Sequence, residues 1–136
     1  MSKIVLVTGA NRGIGFEICR QLSLRGHQVI LTARNKEKGE AAAQSLDSKV
    51  VFHPLDVTSQ SSVDDLYHFV ADEFSYIDVL INNAGIVMRN TDLSLTDIDE
   101  IKINMETNFY GPMRMNKTFL PLLQKSKDPR IINVSI

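Results

Sequence analysis

A glycine-rich stretch near the N-terminus has the residue types and the spacing to bind a phosphate group. In TGANRGIG, residues 8–15, the spacing is Gly9-x-x-x-Gly13-x-Gly15, and the stretch lies between an apolar run and a helix-like pattern. Glycines permit a sharp turn and a close approach of backbone N–H groups to an anion, and a helix N-terminus favours negative charge. The stretch therefore predicts a pyrophosphate site; the alternative is a strand-to-helix turn without a ligand.

Two arginines indicate which dinucleotide this site would select. In a dinucleotide-binding fold, a site for NAD usually has an acidic residue at the end of the second β-strand, where the carboxylate bonds the ribose hydroxyls. LTARN, residues 31–35, has Arg34 in that region instead, and Arg12 lies inside the glycine-rich stretch. Two guanidinium groups at the adenosine end would pair with a 2′-phosphate, whereas either arginine alone could be an ordinary surface charge. We therefore expect NADP(H) as the cofactor.

The composition limits the class of protein. The chain has 136 residues, of which 43% are hydrophobic, enough for one domain with a substantial core. A net charge of −1 argues against nucleic acid or an anionic membrane as a partner. The single cysteine, Cys19, excludes an internal disulfide, and the three histidines show no metal-ligand spacing. We expect a cytoplasmic protein without a metal site, since the first apolar run is too short for a signal sequence.

Five short apolar runs alternate with helix-like segments. The runs lie at residues 3–8, 28–33, 49–55, 78–82 and 130–136. They are continuously apolar and rich in Val and Ile, which is typical of strands covered on both faces, and so predict an α/β fold with a doubly wound parallel sheet, Rossmann-like. Pro54 cannot donate to a strand ladder, which places the third run at a sheet edge, as in the strand order 3-2-1-4-5. We expect residues 1–136 to form a single Rossmann-like domain.

The helix-like segments carry their own signals. They cover residues 13–25, 36–46, 59–74 and 99–125. In the first segment, Ile14, Ile18 and Leu22 fall four apart and are expected to face the core. Asn35 is expected to cap the second helix, and Gly111-Pro112 to interrupt the last. A polar connection precedes the last segment, between residues 84 and 97.

Three further motifs, together with the glycine-rich stretch, resemble the short-chain dehydrogenase/reductase family along the whole chain. LDVT at residues 55–58, NNAG at 82–85 and NFYG at 108–111 occur in the family's order. LTAR, LINNAGI, METNFYG and INVS look most like the carbonyl reductase branch. The resemblance implies an NADPH-dependent oxidoreductase that reduces ketones or aldehydes by hydride transfer, with a small carbonyl compound as its substrate.

The motifs imply which residues contact the cofactor. Asp56 would bind adenine, with the backbone of Val57 continuing the contact, although an Asp at this place is also an ordinary helix-entry residue. The two asparagines of NNAG can hold the neighbouring strand ends, while Ala84 and Gly85 leave room for a ribose. The full set of expected cofactor contacts is Gly9, Asn11, Arg12, Gly13, Ile14, Gly15, Arg34, Asp56, Val57, Asn82, Ala84, Gly85 and Val134.

The catalytic part of the resemblance is incomplete. The family uses Asn, Ser, Tyr and Lys, which supply a proton beside the hydride. Asn108 matches the asparagine, and Pro112 lacks the N–H that would bond the carbonyl of Asn108, so the resemblance implies that this oxygen holds a water of the proton relay. Ser135 is the second candidate, although the family's serine usually occupies the next position, where this chain has Ile136. The pattern Tyr-x-x-x-Lys does not occur.

The resemblance also implies that the family's C-terminal strands are absent and that the domain is truncated after its fifth strand. A truncated chain would lack the Tyr and Lys and would be inactive alone. The alternative function is therefore a catalytically inactive module that binds NADP(H) or a protein partner. The fifth run would then form an exposed apolar edge, through which a homodimer is expected.

Overall fold

The computed structural model describes residues 1–86 and 97–135, and these form a parallel β-sheet with helices on both faces. The strands are β1 (Ile4–Val7), β2 (Gln28–Ala33), β3 (Val50–Pro54), β4 (Val79–Asn82) and β5 (Arg130–Asn133). Every pair of neighbours is parallel, in the order β3-β2-β1-β4-β5. This confirms the predicted fold class and strand order. The fifth run is a strand only as far as Asn133, and Ile136 lies outside the described residues.

In residues 1–86 and 97–135, five α-helices and one π-helical turn accompany the strands. They are α1 (Gly13–Leu24), α2 (Lys36–Gln44), α3 (Gln60–Phe74), α4 (Ile98–Met105), the π turn (Glu106–Tyr110) and α5 (Gly111–Leu123). The predicted interruption of the last helix is thus the π turn, in which the N–H of Gly111 donates to the carbonyl of Glu106. Pro112 lies in the first turn of α5, where its missing N–H costs little. Most of the predicted polar connection lies outside the described residues.

The core consists of two layers, one on each face of the sheet. Alternate residues of one strand enter different layers: Leu6 packs with α3 and α5, whereas Val5 and Val7 pack with α1 and α2. Because both faces of β1, β2 and β4 are covered, these strands consist mostly of apolar residues, which explains their continuous apolar runs. The fully buried side chains include Leu6, Ile30, Leu66, Leu80, Met115 and Phe119 on one face and Val7, Val29 and Leu31 on the other.

The predicted inner face of α1 is correct for Ile18 and Leu22, which pack partly against the core, and wrong for Ile14. Ile14 is 58% exposed, whereas Gly15 and Cys19 are buried against the sheet. A Cβ on Gly15 would lie 2.9 Å from the carbonyl oxygen of Gly9 and 3.0 Å from the Cα of Ala10. The helix therefore packs closely through small residues, and its large apolar residues flank the contact.

The edges of the sheet differ in character. β3 forms one edge, and the register places Pro54 opposite Ala33 at its last pair, as expected for a residue without an N–H. β5 forms the other edge and all four of its residues are exposed. No helix within the described ranges is long and apolar enough to cross a membrane. The same residues contain no cluster of three His, Cys, Asp or Glu side chains that could hold a metal ion.

Candidate functional site

The carboxyl ends of the strands open into one cleft of about 1520 Å³. In an open parallel sheet this is where ligands bind, at the point where the strand order reverses, here between β1 and β4. Twelve of the thirteen expected cofactor contacts line the cleft, as do both catalytic candidates, Asn108 and Ser135. Gly15 is the exception, because it is buried beneath the loop and supports its shape. The structure thus brings the predicted site residues together, while their contacts with a ligand stay predictions.

The glycine-rich loop is shaped by positive φ angles and by a close approach to β4. Gly9 and Gly13 have φ angles of 60° and 63°. A Cβ on Gly9 would lie 2.7 Å from the Cα of Ala84, which places the loop directly against the NNAG motif. At the start of α1, the side chain of Arg12 makes no capping hydrogen bond, so the first N–H groups of the helix are left without a side-chain acceptor. Such groups favour a bound anion.

The NNAG motif locks three strand ends together. The hydroxyl oxygen of Thr8 accepts hydrogen bonds from the N–H groups of Asn83 and Ala84, both at 2.9 Å. Asn83 Nδ2 donates in return to the carbonyl of Gly9, which ties β4 to the end of β1. Asn82 Nδ2 donates to Oδ1 of Asn133 on β5, at 3.0 Å. The two asparagines therefore hold neighbouring strand ends, as expected from their side chains.

Asp56 lies in the loop after β3 and uses only one of its carboxylate oxygens there. Oδ1 accepts from the N–H and the hydroxyl of Thr58, at 2.9 and 2.7 Å, while Oδ2 has no hydrogen-bond partner in residues 1–86 and 97–135. Burial by itself raises the pKa of Asp56, but the two bonds from Thr58 and attraction by Arg34 and Arg114 outweigh it and hold this pKa below its ordinary value. Oδ1 thus serves the helix-entry turn, while Oδ2 stays available as an ionised acceptor, and the contact with adenine stays a prediction.

Val57 offers the cleft one backbone group. Its carbonyl oxygen accepts a hydrogen bond from Arg114 Nη1 at 2.6 Å. Its N–H has no acceptor within the described residues. Of the two backbone groups of Val57, only this N–H is therefore free to make the expected contact. Together with Oδ2 of Asp56, this N–H gives the loop one unengaged acceptor and one unengaged donor among the described residues, the two kinds of group that the expected adenine contact would need.

Among residues 1–86 and 97–135, three cationic residues line the part of the cleft where we expect the adenosine to bind. Arg12 and Arg34 are there as predicted from the sequence, and Lys38 joins them. All three are exposed, and within the described ranges none of them forms an ion pair. Lys38 was missed from the sequence, although Asn35 was recognised as the residue that caps α2. The Oδ1 of Asn35 accepts from the N–H of Lys38, which places Lys38 in the first turn of α2, close to the end of β2.

Uncharged amides line much of the cleft. All eight asparagines of the described residues lie along it: Asn11, Asn35, Asn82, Asn83, Asn104, Asn108, Asn116 and Asn133. Amides can both donate to and accept from hydroxyl and carboxamide groups, so this lining suits the neutral polar parts of a dinucleotide. Asn104 and Asn116 were missed from the sequence. Asn116 Oδ1 accepts from Asn82 Nδ2 at 2.9 Å and so joins α5 to the end of β4.

Asn108 holds the chain that follows the NNAG motif. Its Nδ2 donates to the carbonyl of Ile86 at 2.7 Å, and its Oδ1 accepts from the N–H of Ile86 at 2.8 Å. A Cβ on Gly85 would lie 3.3 Å from the same Oδ1, so only a small residue fits there comfortably. Both ends of the side-chain amide are hydrogen-bonded to Ile86, and the role that the resemblance implied for the backbone carbonyl of Asn108 stays a prediction.

The other side of the cleft is formed by the residues after β5. The N–H of Val134 donates to the carbonyl of Asn82 at 3.0 Å and continues the pairing of β4 and β5. Val134 packs partly against the core, and Ser135 is exposed at the rim. Tyr110 and Arg114, which mimic the spacing of a catalytic Tyr and Lys, do not form such a pair: the guanidinium group of Arg114 donates to Glu106 and Val57 instead.

The fold and the cleft together define a class of protein. A parallel sheet in the order 3-2-1-4-5, with a glycine-rich loop between β1 and α1 at the cleft, has the architecture of a dinucleotide-binding domain. The family model described as short chain dehydrogenase matches residues 3–136. The chain belongs to the short-chain dehydrogenase/reductase family of oxidoreductases, and its relatives place it in the carbonyl reductase-like branch.

Individual relatives agree with this assignment. The (+)-neomenthol dehydrogenase of Arabidopsis thaliana is 40% identical over 157 residues, which cover 98% of this chain and 53% of that protein. Carbonyl reductase [NADPH] 1 of Bos taurus is 40% identical over 136 residues, covering 97% of this chain and 48% of that protein. The structure of a 3-ketoacyl-(acyl-carrier-protein) reductase from Brucella melitensis complexed with NADH superimposes with a TM-score of 0.92 at 25% identity, covering 98% of this chain and 57% of the other. The chain spans about half the length of the curated relatives that it matches.

Proposed function

We propose that this chain binds NADP(H) and forms the cofactor-binding part of an oxidoreductase that reduces ketones or aldehydes. The observation that carries the proposal is the charge at the adenosine end of the cleft. Arg12, Arg34 and Lys38 line it, and the end of β2 is followed by Arg34 and Asn35 instead of an acidic residue. A 2′-phosphate would be paired there, whereas an unmodified ribose would leave the three cations without an anion. Both NADPH and NADH occur among the related proteins, so the preference is argued from these residues.

The remaining groups of the cleft suit the other parts of this cofactor. The uncapped N–H groups at the start of α1 would hold the diphosphate. Oδ2 of Asp56 and the N–H of Val57 would bind the adenine edge, and the asparagine side chains near β4 and β5 would bind ribose hydroxyls and the carboxamide. The bound cofactor would supply the hydride. The chain's own part is to orient it and, through the Asn108 carbonyl, to hold a water on the path of the proton.

The preference is tested by measuring dissociation constants for NADPH and NADH by calorimetry. We expect NADPH to bind at least ten-fold more tightly, because one charge-assisted hydrogen bond contributes about 1.5–3 kcal/mol. Raising the salt concentration should narrow the difference, since the 2′-phosphate site is exposed. Equal affinities for the two nucleotides would contradict the proposed cofactor.

A second candidate function is a binding module without turnover. The sequence contains no Tyr-x-x-x-Lys, and within residues 1–86 and 97–135 the cleft offers neither a Tyr nor a Lys beside Asn108. We therefore expect these 136 residues to bind NADPH but not to oxidise it when ketones and aldehydes are added. The absorbance of NADPH monitors the reaction, and a longer form of the protein that carries such a pair is the positive control. Turnover by the 136 residues alone would remove this candidate.

A homodimer through β5 is a further part of the proposal. The outer edge of β5 pairs with no other strand of the described chain, and Ile131 and Ile132 are 41% and 44% exposed. Two copies could pair these edges antiparallel, and a net charge of −1 opposes their approach only weakly. Sedimentation that shows a monomer over a wide concentration range would exclude this dimer.

We also propose a cytoplasmic location. Cys19 is the only cysteine, and burial raises the pKa of its thiol to about 12, so it stays protonated and needs no oxidising environment. Fractionation of cells that express the tagged protein would show it in the cytosolic fraction, and recovery from a secretory compartment would contradict the proposal.

A further inference from the structure

One guanidinium group joins two separate walls of the cleft without lining it. Arg114 lies in α5, and its side chain is 21% exposed. Nη1 donates to the carbonyl of Val57 at 2.6 Å, in the loop after β3, while Nη2 donates to Oε1 of Glu106 at 2.8 Å, at the start of the π turn. The loop presents Asp56 to the cleft, and the π turn presents Asn108. Arg114 therefore ties the adenosine end to the segment that holds the catalytic candidate.

The contact between α5 and this loop is tight. A Cβ on Gly111 would lie 2.7 Å from Cγ2 of Val57, and Val57 is 4% exposed. The opposite side of the loop is held by the N–H of Asp56, which donates to the hydroxyl of Ser62 at 2.9 Å. The backbone at residues 56–57 is thus fixed from both sides, and Arg114 supplies the only hydrogen bond from α5 to it among the described residues.

Arg114 also sets which groups of the loop remain for a ligand. By binding the carbonyl of Val57 it removes that acceptor, which leaves the N–H of Val57 and Oδ2 of Asp56. Its positive charge favours the ionised form of Asp56, as does the charge of Arg34. Because Arg114 is not at the surface of the cleft, it acts on a ligand only through these two residues.

We infer that Arg114 is a positioning residue for the adenosine end of the bound nucleotide. It holds the N–H of Val57 and Oδ2 of Asp56 in place as a donor and an acceptor for that end. The inference rests on the proposed NADP(H) function. It adds a residue of α5 to nucleotide recognition, although this residue does not itself line the cleft. If Arg114 only stabilised the fold, its replacement would lower the free energy of unfolding. The affinity for adenosine would then equal that of any other variant of the same stability.

The test uses adenosine 2′,5′-bisphosphate, which carries only the adenosine end of the cofactor. Calorimetry should show that R114Q binds it about ten-fold more weakly than the wild type. This corresponds to the loss of one hydrogen bond between the ligand and the charged carboxylate of Asp56. R114K keeps the charge and one donor and should recover part of the affinity. R130Q is the matched control, because the exposed side chain of Arg130 pairs, among the described residues, only with Asp128 and lies at the opposite end of β5 from the cleft. Its affinity should stay within two-fold of the wild type.

A double-mutant cycle separates positioning from general destabilisation. If Arg114 holds Asp56 and Val57 as one pair, R114Q should weaken binding less in a D56N background than in the wild type, because only the Val57 N–H is then left for it to position. Equal losses in both backgrounds, or an unchanged affinity of R114Q, would overturn the inference while leaving the proposed function intact. Thermal unfolding checks that the variants are folded; should R114Q not fold, the same cycle is run with R114K. If the wild type itself does not bind the bisphosphate, the proposed function falls, and the inference falls with it.

Discussion

Replacing Gly9 by alanine is expected to remove most of the dinucleotide binding and to lower the free energy of unfolding by about 3 kcal/mol. Two effects combine at this position. A φ of 60° is unfavourable for alanine, and the new methyl group would lie 2.7 Å from the Cα of Ala84, a backbone atom that cannot move aside. The loop would have to shift away from β4, which breaks the hydrogen bonds that the Thr8 hydroxyl oxygen accepts from Asn83 and Ala84. Denaturant unfolding and calorimetry with NADPH measure the two losses.

Gly13 provides a matched control for the loss of stability. Its φ of 63° is nearly that of Gly9, but a Cβ there would have nothing within 4 Å. G13A should therefore show only the conformational cost, about 1 kcal/mol. The double variant G9A/A84G should recover little, because it removes the Cβ of Ala84 and leaves the Cα in place. If G9A and G13A destabilise the protein equally, the close approach of the loop to β4 is not what requires glycine at position 9.

The fold was predictable because its determinants are local. Continuous apolar runs require strands covered on both faces, Pro54 marks an edge, and the two positive φ angles of the loop fall on glycines. The one error inside these elements, Ile14 on α1, has a local origin too. The apolar spacing locates a stripe on the helix, but the closest packing goes to the smallest residues, Gly15 and Cys19.

The supports of the site could not be predicted in the same way. Asn116 bonds Asn82 from 34 positions away, and Arg114 bonds Val57 from 57 positions away. Such pairs depend on how α5 crosses the sheet, and the π turn before α5 shifts the direction of every later side chain relative to a continuous helix. The residues that point at a ligand follow recognisable motifs, whereas the residues that hold them depend on the three-dimensional packing.

Arg34→Ala is expected to weaken NADPH binding by about 10- to 100-fold and to change NADH binding by less than three-fold. Arg34 lines the cleft directly after β2, where it would pair with the 2′-phosphate. It also attracts the carboxylate of Asp56, so its loss raises the pKa of Asp56 and weakens adenine binding slightly. Both nucleotides carry adenine, and the NADH affinity of the same variant therefore measures this second effect. Working near pH 8 keeps Asp56 ionised and minimises it.

Arg34→Asp is expected to reverse the cofactor preference. An acidic residue at this place can accept hydrogen bonds from ribose hydroxyls and repels a 2′-phosphate, so this variant should prefer NADH. Arg25→Ala is the control: Arg25 is also exposed, but it follows the last turn of α1, at the end of that helix away from the cleft, and its loss should leave both affinities unchanged. Losses of equal size for NADPH and NADH in Arg34→Ala would show that the cation supports the loop around Asp56 and does not recognise the phosphate. In that case the preference would rest on Arg12 and Lys38, whose alanine variants would then have to separate the two nucleotides.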